Sequence, residues 1–277
     1  MITQENFTTV PYNENYELFL KGKDADVGGG TITKEEIDIL KDYPHIKTVA
    51  IAGLHQDTFE YFIEKYGDQF TAIAFFKNKM VGDLSALGKL KNVEYIYYFF
   101  NQRVTKLWDM TQNVKLKGLG LDDFSRLHSF DNIETAPNLE YFHFGNAVWD
   151  KAVINDFAPL EKCTCSYLSL SWEKLLDDNI SYIANIKNLK QLDVPGNKLT
   201  TEQFAWLVAN RPDIEGRNMG PFDKYNDDSE YIFPTGKGKR TLIKGKDDHK
   251  VQRYIDEFDK LVAQYKGVSY KDAFANK

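Results

Sequence analysis

The sequence predicts an α/β chain of stacked repeats: a curved, right-handed solenoid with a parallel β-sheet on its concave face and helical or irregular returns on its convex face. Two observations predict this. Apolar residues recur in the pattern φ-x-x-φ-x-φ as Ile46-Val49-Ile51, Phe70-Ile73-Phe75, Val93-Ile96-Tyr98, Leu116-Leu119-Leu121, Leu139-Phe142-Phe144, Cys165-Leu168-Leu170 and Leu189-Leu192-Val194. Their first positions, at 46, 70, 93, 116, 139, 165 and 189, are spaced by 24, 23, 23, 23, 26 and 24 residues, with a weaker eighth start at Ile214. Such a period marks units that bury their apolar face only by stacking on one another. The second observation is that an apolar cluster follows each pattern and closes the core from the other side. Examples are Phe59/Phe62, Leu84/Leu87/Leu90, Leu127/Phe130/Ile133 and Ile180/Ile183/Ile186.

The remaining elements follow in chain order. Residues 1–45 form an N-terminal cap, in which YELFL (Tyr16–Leu20) alternates as an edge strand. Thr33 and Glu36 make a capping-box pattern ahead of Ile37 and Leu40. Residues 46–215 hold about seven repeats. The returns LLDDNISYIANIKN and TTEQFAWLVANR have helical spacing. Residues 216–277 form a C-terminal cap with an amphipathic helix at 247–266. Its apolar stripe is Val251, Tyr254, Ile255, Phe258, Leu261, Val262 and Tyr265, and Gly267 is its stop. Charge changes with it: Pro234–Lys277 carries 11 Lys/Arg against 6 Asp/Glu, while the rest carries 24 against 35, summing to −6.

These units resemble the leucine-rich repeat family, which runs about 20–29 residues as L-x-x-L-x-L-x-x-N. The resemblance covers Ile46 to Glu215 and places Asn78, Asn101 and Asn197 at the ninth position. It implies that these side chains bond backbone groups where the chain leaves the strand. Leu54, Phe124, Ala147 and Glu173 interrupt that ladder, and aromatic residues replace many leucines, as in an irregular bacterial-type variant.

The stretch NVEYIYYFFN (Asn92–Asn101) is too aromatic for a strand with one solvated face. In the repeat register, Ile96 and Tyr98 point inward, and Tyr95, Tyr97 and Phe99 face the concave side. The same register gives Phe76, Asp122, Tyr141, His143, Tyr167 and Asp193 on that face, with Trp172 at its rim. Gly118 and Gly120 leave a dent between Tyr97 and His143. Aromatic anchors of this kind suit protein interfaces. Two structural readings stand beside this one: the rings cover the glycine gaps of neighbouring rows, or a terminal segment folds back over the face.

The expected function is non-catalytic binding of another protein through Phe76, Tyr95, Tyr97, Phe99, Asp122, Tyr141, His143, Tyr167, Trp172 and Asp193, in an immunity-type or scaffold role. The alternative is a carbohydrate or small ligand in the dent around Tyr97, Gly120 and His143. A pI near 5.5 gives no reason to expect nucleic acid. No apolar run approaches a membrane span, and the first residues lack the pattern of a secretory signal. A cytoplasmic monomer without cofactor or metal is therefore expected. The five histidines show no ligand spacing. Cys165 takes a core position, and Gly28-Gly29-Gly30 lacks the lysine of a phosphate-binding loop. GKGKRT, from Gly236, reads as a connection between the short strands YIF and TLI. Asn6 and Asn179 match a glycosylation sequon, which needs a secretory route to matter.

Overall fold

The computed structural model describes residues 2–8, 15–23, 30–146, 148, 152–224 and 229–275. Gly28, Gly29 and Ala147 lie outside them. Strands, in chain order, are β1 (Leu18–Leu20), β2 (Thr48–Ala52), β3 (Ala72–Phe76), β4 (Tyr95–Asn101), β5 (Gly118–Phe124), β6 (Tyr141–Gly145), β7 (Val153–Ile154), β8 (Tyr167–Leu170), β9 (Lys174–Leu175), β10 (Gln191–Asp193), β11 (Tyr231–Ile232) and β12 (Leu242–Ile243). The helices are α1 (Lys34–Ile37), α2 (Gln56–Tyr66), α3 (Ser181–Ala184), α4 (Thr201–Asn210), α5 (Asp248–Tyr265) and α6 (Tyr270–Phe274). The chain divides into two compact units, 1–165 with 172–177, and 166–171 with 178–277.

In the first unit, β1 to β6 pair in sequence order, all parallel. The middle apolar residues lie on one rung: Val49 faces Ile73, Ile73 faces Ile96, Ile96 faces Leu119, and Leu119 faces Phe142. All of these are fully buried. Their opposite wall is the returns, where Phe59, Phe62, Leu87, Met110, Phe130 and Leu160 are buried as well. The first return is a true helix, α2; those after β3, β5 and β6 carry short 3₁₀ segments, and the one after β4 only turns. Inward aromatic rings stack between repeats, as in Phe75 on Tyr98 at 5.1 Å and Phe130 against Phe142 at 5.3 Å.

Each of the first four repeats ends its strand in the same way. Gly53, Lys77, Phe100 and Asp123, the eighth positions of their units, adopt φ of 80°, 52°, 65° and 58°. This left-handed kink turns the chain off the sheet at one level, although only Gly53 adopts it without steric cost. In the second and third repeats the following residue, an asparagine, fixes the turn. Asn78 accepts the Leu54 N–H at 2.8 Å and donates to the Ile51 carbonyl at 3.0 Å. Asn101 donates to the Asn78 and Val81 carbonyls and accepts the Arg103 and Val104 N–H groups. Buried backbone groups that the kink strips from the sheet thereby recover partners.

The N-terminal expectations appear as described elements. The edge strand β1 pairs with β2, and Thr33 and Glu36 close the capping box around α1. The YIF–TLI connection is also present, as the antiparallel pair β11–β12.

In the second unit, β8 and β10 pair in parallel with Leu168 facing Leu192, both buried. The weak eighth start is a single bridge between Gln191 and Glu215. The LLDDNISYIANIKN return does not form one helix: β9 and the four-residue α3 are all the regular structure it contains. TTEQFAWLVANR does become a helix, α4, with Thr200 and Gln203 in a capping box. Asn197 is exposed and takes no ladder place; Asn218, buried, donates to the Val194 carbonyl at 2.8 Å instead. Helix α5 buries Phe258 and Tyr265, while Val251, Tyr254, Ile255, Leu261 and Val262 are half-buried. The end of α5 and the segment after it are tied to α4 by four hydrogen bonds: Trp206 Nε1 to Val268 O, Asn210 Nδ2 to Tyr265 O, Gly267 N to Asn210 Oδ1, and Gln203 Nε2 to Tyr270 Oη. Among the described residues these two units are α/β leucine-rich repeat structure: eight parallel repeat strands, six in the first and two in the second, besides the short parallel pair β7–β9 in the first.

Candidate functional site

The sheet face away from the returns carries the rows foreseen from the register, but in the first unit it is not open. Residues 2–8 cover it. Ile2, Phe7 and Tyr16 form one buried cluster with Ala50, Ala72, Ala74, Phe76, Tyr97 and Phe99. Phe7 is fully buried, tilted against Tyr95 at 5.2 Å and edge-on to Tyr141 at 5.1 Å. The dent left by Gly118 and Gly120 is the seat of this ring. A Cβ on Gly118 would lie 2.9 Å from Phe7 Cζ, and one on Gly120 2.7 Å from Thr8 Cγ2. Only a residue without a side chain lets an aromatic ring approach the strand so closely.

Several expectations change as a result. Phe76, Tyr97 and Phe99 are core residues beneath residues 2–8, rather than exposed anchors. Trp172 is not at the rim: it is 2% exposed and packs edge-on against Phe157 at 5.1 Å. The dent around Tyr97, Gly120 and His143 is filled by Phe7 and Thr8, which removes the space a carbohydrate would need. Of the readings weighed for this face, the fold-back of a terminal segment describes the first unit. The segment was not singled out from sequence, because Ile2 and Phe7 have no periodicity. Two glycines on one face, flanked by tyrosine rows, were the available signal that something must fill the gap.

Beside the Phe7 seat lies a buried polar chain. Tyr97 Oη donates to Asp122 Oδ2 at 2.8 Å, and His143 Nε2 lies 3.1 Å from Asp122 Oδ1. Asp122 is 6% exposed, so these partners compensate a carboxylate withdrawn from water. Gly145 is required beside them, since a Cβ there would come within 2.5 Å of Asp122 Oδ1 and 2.8 Å of His143 Nε2. Burial first, and the adjacent Asp122 second, push the Tyr97 phenol far above its ordinary pKa, so it remains a proton donor. Tyr95, Tyr141 and His143 are half-buried and carry the outward edge of this surface.

In the second unit, Tyr167 Oη donates to Asp193 Oδ2, and the Arg217 N–H reaches Asp193 Oδ1 at 3.2 Å. Both Tyr167 and Asp193 are half-buried. A cleft of about 240 Å³ is lined there by Pro195, Arg217, Asn218, Phe233 and Lys239. Cys163 and Cys165, in the first unit, are buried thiols, and the hydrogen bond between them together with burial raises the pKa of Cys165. Among the described residues no three His, Cys, Asp or Glu side chains cluster as metal ligands, and no helix is long and apolar enough to cross a membrane.

The sequence matches no family model, and no curated protein aligns with it. Among solved structures it is similar to an internalin (InlF) of Listeria monocytogenes, with 14% identity, 71% of this chain and 53% of that one covered, and a TM-score of 0.48. The chain thus spans about half the length of that internalin. Internalin C2 of the same organism gives 15% identity over 67% of this chain and 73% of that one, with a TM-score of 0.40. TLR13, solved in complex with ssRNA13, gives 12% identity over 68% and 41%, with a TM-score of 0.22. At these values the likenesses add nothing to what the repeat register itself establishes: this is a leucine-rich repeat fold.

Proposed function

We propose that the chain is a non-catalytic protein-interaction module that binds a partner protein through its strand face, working as a cytoplasmic monomer in an immunity-type or scaffold role. The observation that supports this reading is the seat of Phe7: the face already holds a polypeptide segment, through a buried aromatic ring set against strands β4 to β6. The half-buried Tyr95, Tyr141 and His143 of the first unit are the anchors offered to the partner, and Tyr167 and Asp193 those of the second. Residues 247–277 act as a cap on the last repeat.

The test is affinity for a partner purified from the native host with the tagged chain as bait. Tyr141→Ala and Tyr167→Ala should each weaken it roughly thirtyfold, the loss of about 2 kcal/mol typical of a central anchor. Lys187→Ala and Glu202→Ala, on the returns, should leave it unchanged. Equal affinity of folded Tyr141→Ala and Tyr167→Ala variants would sink the reading.

A further inference from the structure

We propose that the Gly118–Gly120 slot is a docking site for an aromatic side chain of a partner polypeptide, and that residues 2–8 are a resident ligand which such a partner replaces. The proposal rests on the protein-binding reading above and names what the partner must present.

The slot is built for a ring. Its floor is two glycines on one strand face, and its walls include Tyr95 and Tyr141, with Tyr97 below. Phe7 is fully buried there, and a Cβ on Gly118 or Gly120 would come within 2.9–3.4 Å of its ring carbons, so the slot is matched to a flat ring seated directly on the strand. The segment that carries Phe7 is a turn rather than another strand. The Asn6 and Phe7 N–H groups donate to the Thr3 carbonyl at 3.2 and 3.1 Å, and the Thr3 N–H donates to Asn6 Oδ1 at 2.8 Å. The turn therefore carries its own hydrogen bonds, and its deepest hold on the sheet is the Phe7 ring, with Ile2 buried in the same cluster. That is the anatomy of an interface hot spot: one buried aromatic anchor inside a ring of lesser contacts. The Phe7 carbonyl is reached by the Tyr16 hydroxyl at 3.2 Å, a donor that a replacing backbone can use in the same way. Covalent attachment gives the resident segment a high effective concentration, so an incoming segment competes best when the resident ring is weakened or the incoming one is presented by a second contact surface.

The experiment uses the full chain with Phe7→Ala, which empties the seat and keeps the segment. The probe is a fluorescent peptide of the chain's own first nine residues, MITQENFTT. Its binding should be saturable on Phe7→Ala and at least tenfold weaker on the unsubstituted chain. A peptide with alanine in place of its phenylalanine, or a Phe7→Ala chain that also carries Gly120→Ala, should each lose at least tenfold. Absence of ring-dependent binding to the folded Phe7→Ala chain overturns the proposal. Should that variant fail to fold, hydrogen exchange of residues 3–8 in the unsubstituted chain takes its place. It should rise with excess peptide, and unchanged exchange overturns the proposal. A concentration-dependent dimer that trades residues 2–8 between copies would assign the slot to a second copy and also overturn it. A captured partner whose affinity ignores Gly120→Ala but falls with Tyr141→Ala refutes the slot alone and leaves the protein-binding reading in place.

Discussion

Gly118→Ala and Phe7→Ala should be strongly coupled, and the sign of the coupling follows from the geometry. On its own, the new methyl of Gly118→Ala meets Phe7 ring carbons at 2.9 and 3.0 Å and Tyr95 Cδ1 at 2.7 Å. Overpacking of this kind costs about 1–3 kcal/mol. Replacing a strand glycine by alanine gives back about 0.5–1 kcal/mol of backbone entropy. The net loss is then about 0–2.5 kcal/mol. Phe7→Ala removes a fully buried ring and should cost about 3–5 kcal/mol, less if residues 2–8 simply detach. In the double variant two of the three tight contacts no longer exist, and the half-buried Tyr95 has room to swing outward. Gly118→Ala should therefore be neutral or slightly stabilising in that background. The expected coupling is about 1–2 kcal/mol, read from urea midpoints at constant m-value. A double variant whose loss equals the sum of the singles within about 0.5 kcal/mol would refute the seating of Phe7 on Gly118.

Phe142→Asp should abolish soluble folded protein, because it puts an unpaired carboxylate on a fully buried rung and removes the ring that packs on Phe130, a loss above about 4 kcal/mol; a normally melting variant would disprove the register. Deleting residues 247–277 strips α4 of the hydrogen bonds to Trp206, Asn210 and Gln203 and uncovers the Trp206 face that Tyr270 meets at 5.0 Å. Aggregation or a loss of several kcal/mol is expected in light scattering and melting, and an unchanged monomer would free α5 for another role. At alkaline pH the buried phenols of Tyr16, Tyr97 and Tyr98, all raised by burial, should govern stability. The unfolded chain loses these protons near pH 10 while the native state keeps them. Stability is therefore complete below about pH 10 and falls as pH rises beyond it, by up to about 1.4 kcal/mol per unit for each phenol. Tyr98→Phe should make that limb shallower between about pH 10 and 11.5, and an identical limb would contradict the assignment.

What the sequence revealed divides along a physical line. The inward residues were legible because a repeat imposes its period on every unit: Val49, Ile73, Ile96, Leu119 and Phe142 fall on one rung, as their spacing requires. The neighbouring-row pairing of His143 with Asp122 follows from the same register. The cover over the strand face was not legible, since Phe7 reaches Gly118 through tertiary contact alone and nothing periodic announces it. Asn197 and Trp172 misled for a related reason. Position in the motif was right, yet local turn geometry decided exposure, leaving Asn197 in solvent and Trp172 under Phe157. Irregular returns were equally opaque: spacing alone made LLDDNISYIANIKN look helical, whereas its helical part is a single short turn.

The seat of Phe7 also gives the chain an order of assembly. Phe7 is made before Tyr95, Gly118 and Tyr141, which receive it and all lie far downstream. At synthesis rates of about 5–20 residues per second, the receiving strands are complete roughly 7–27 s after Phe7 has been added. Through that interval the ring has no seat to meet and is available to chaperones or to neighbouring nascent chains. Phe7 is thus made before its seat and docks only after it, so a change at Phe7 would act on that final step while leaving the stacked strands behind it intact.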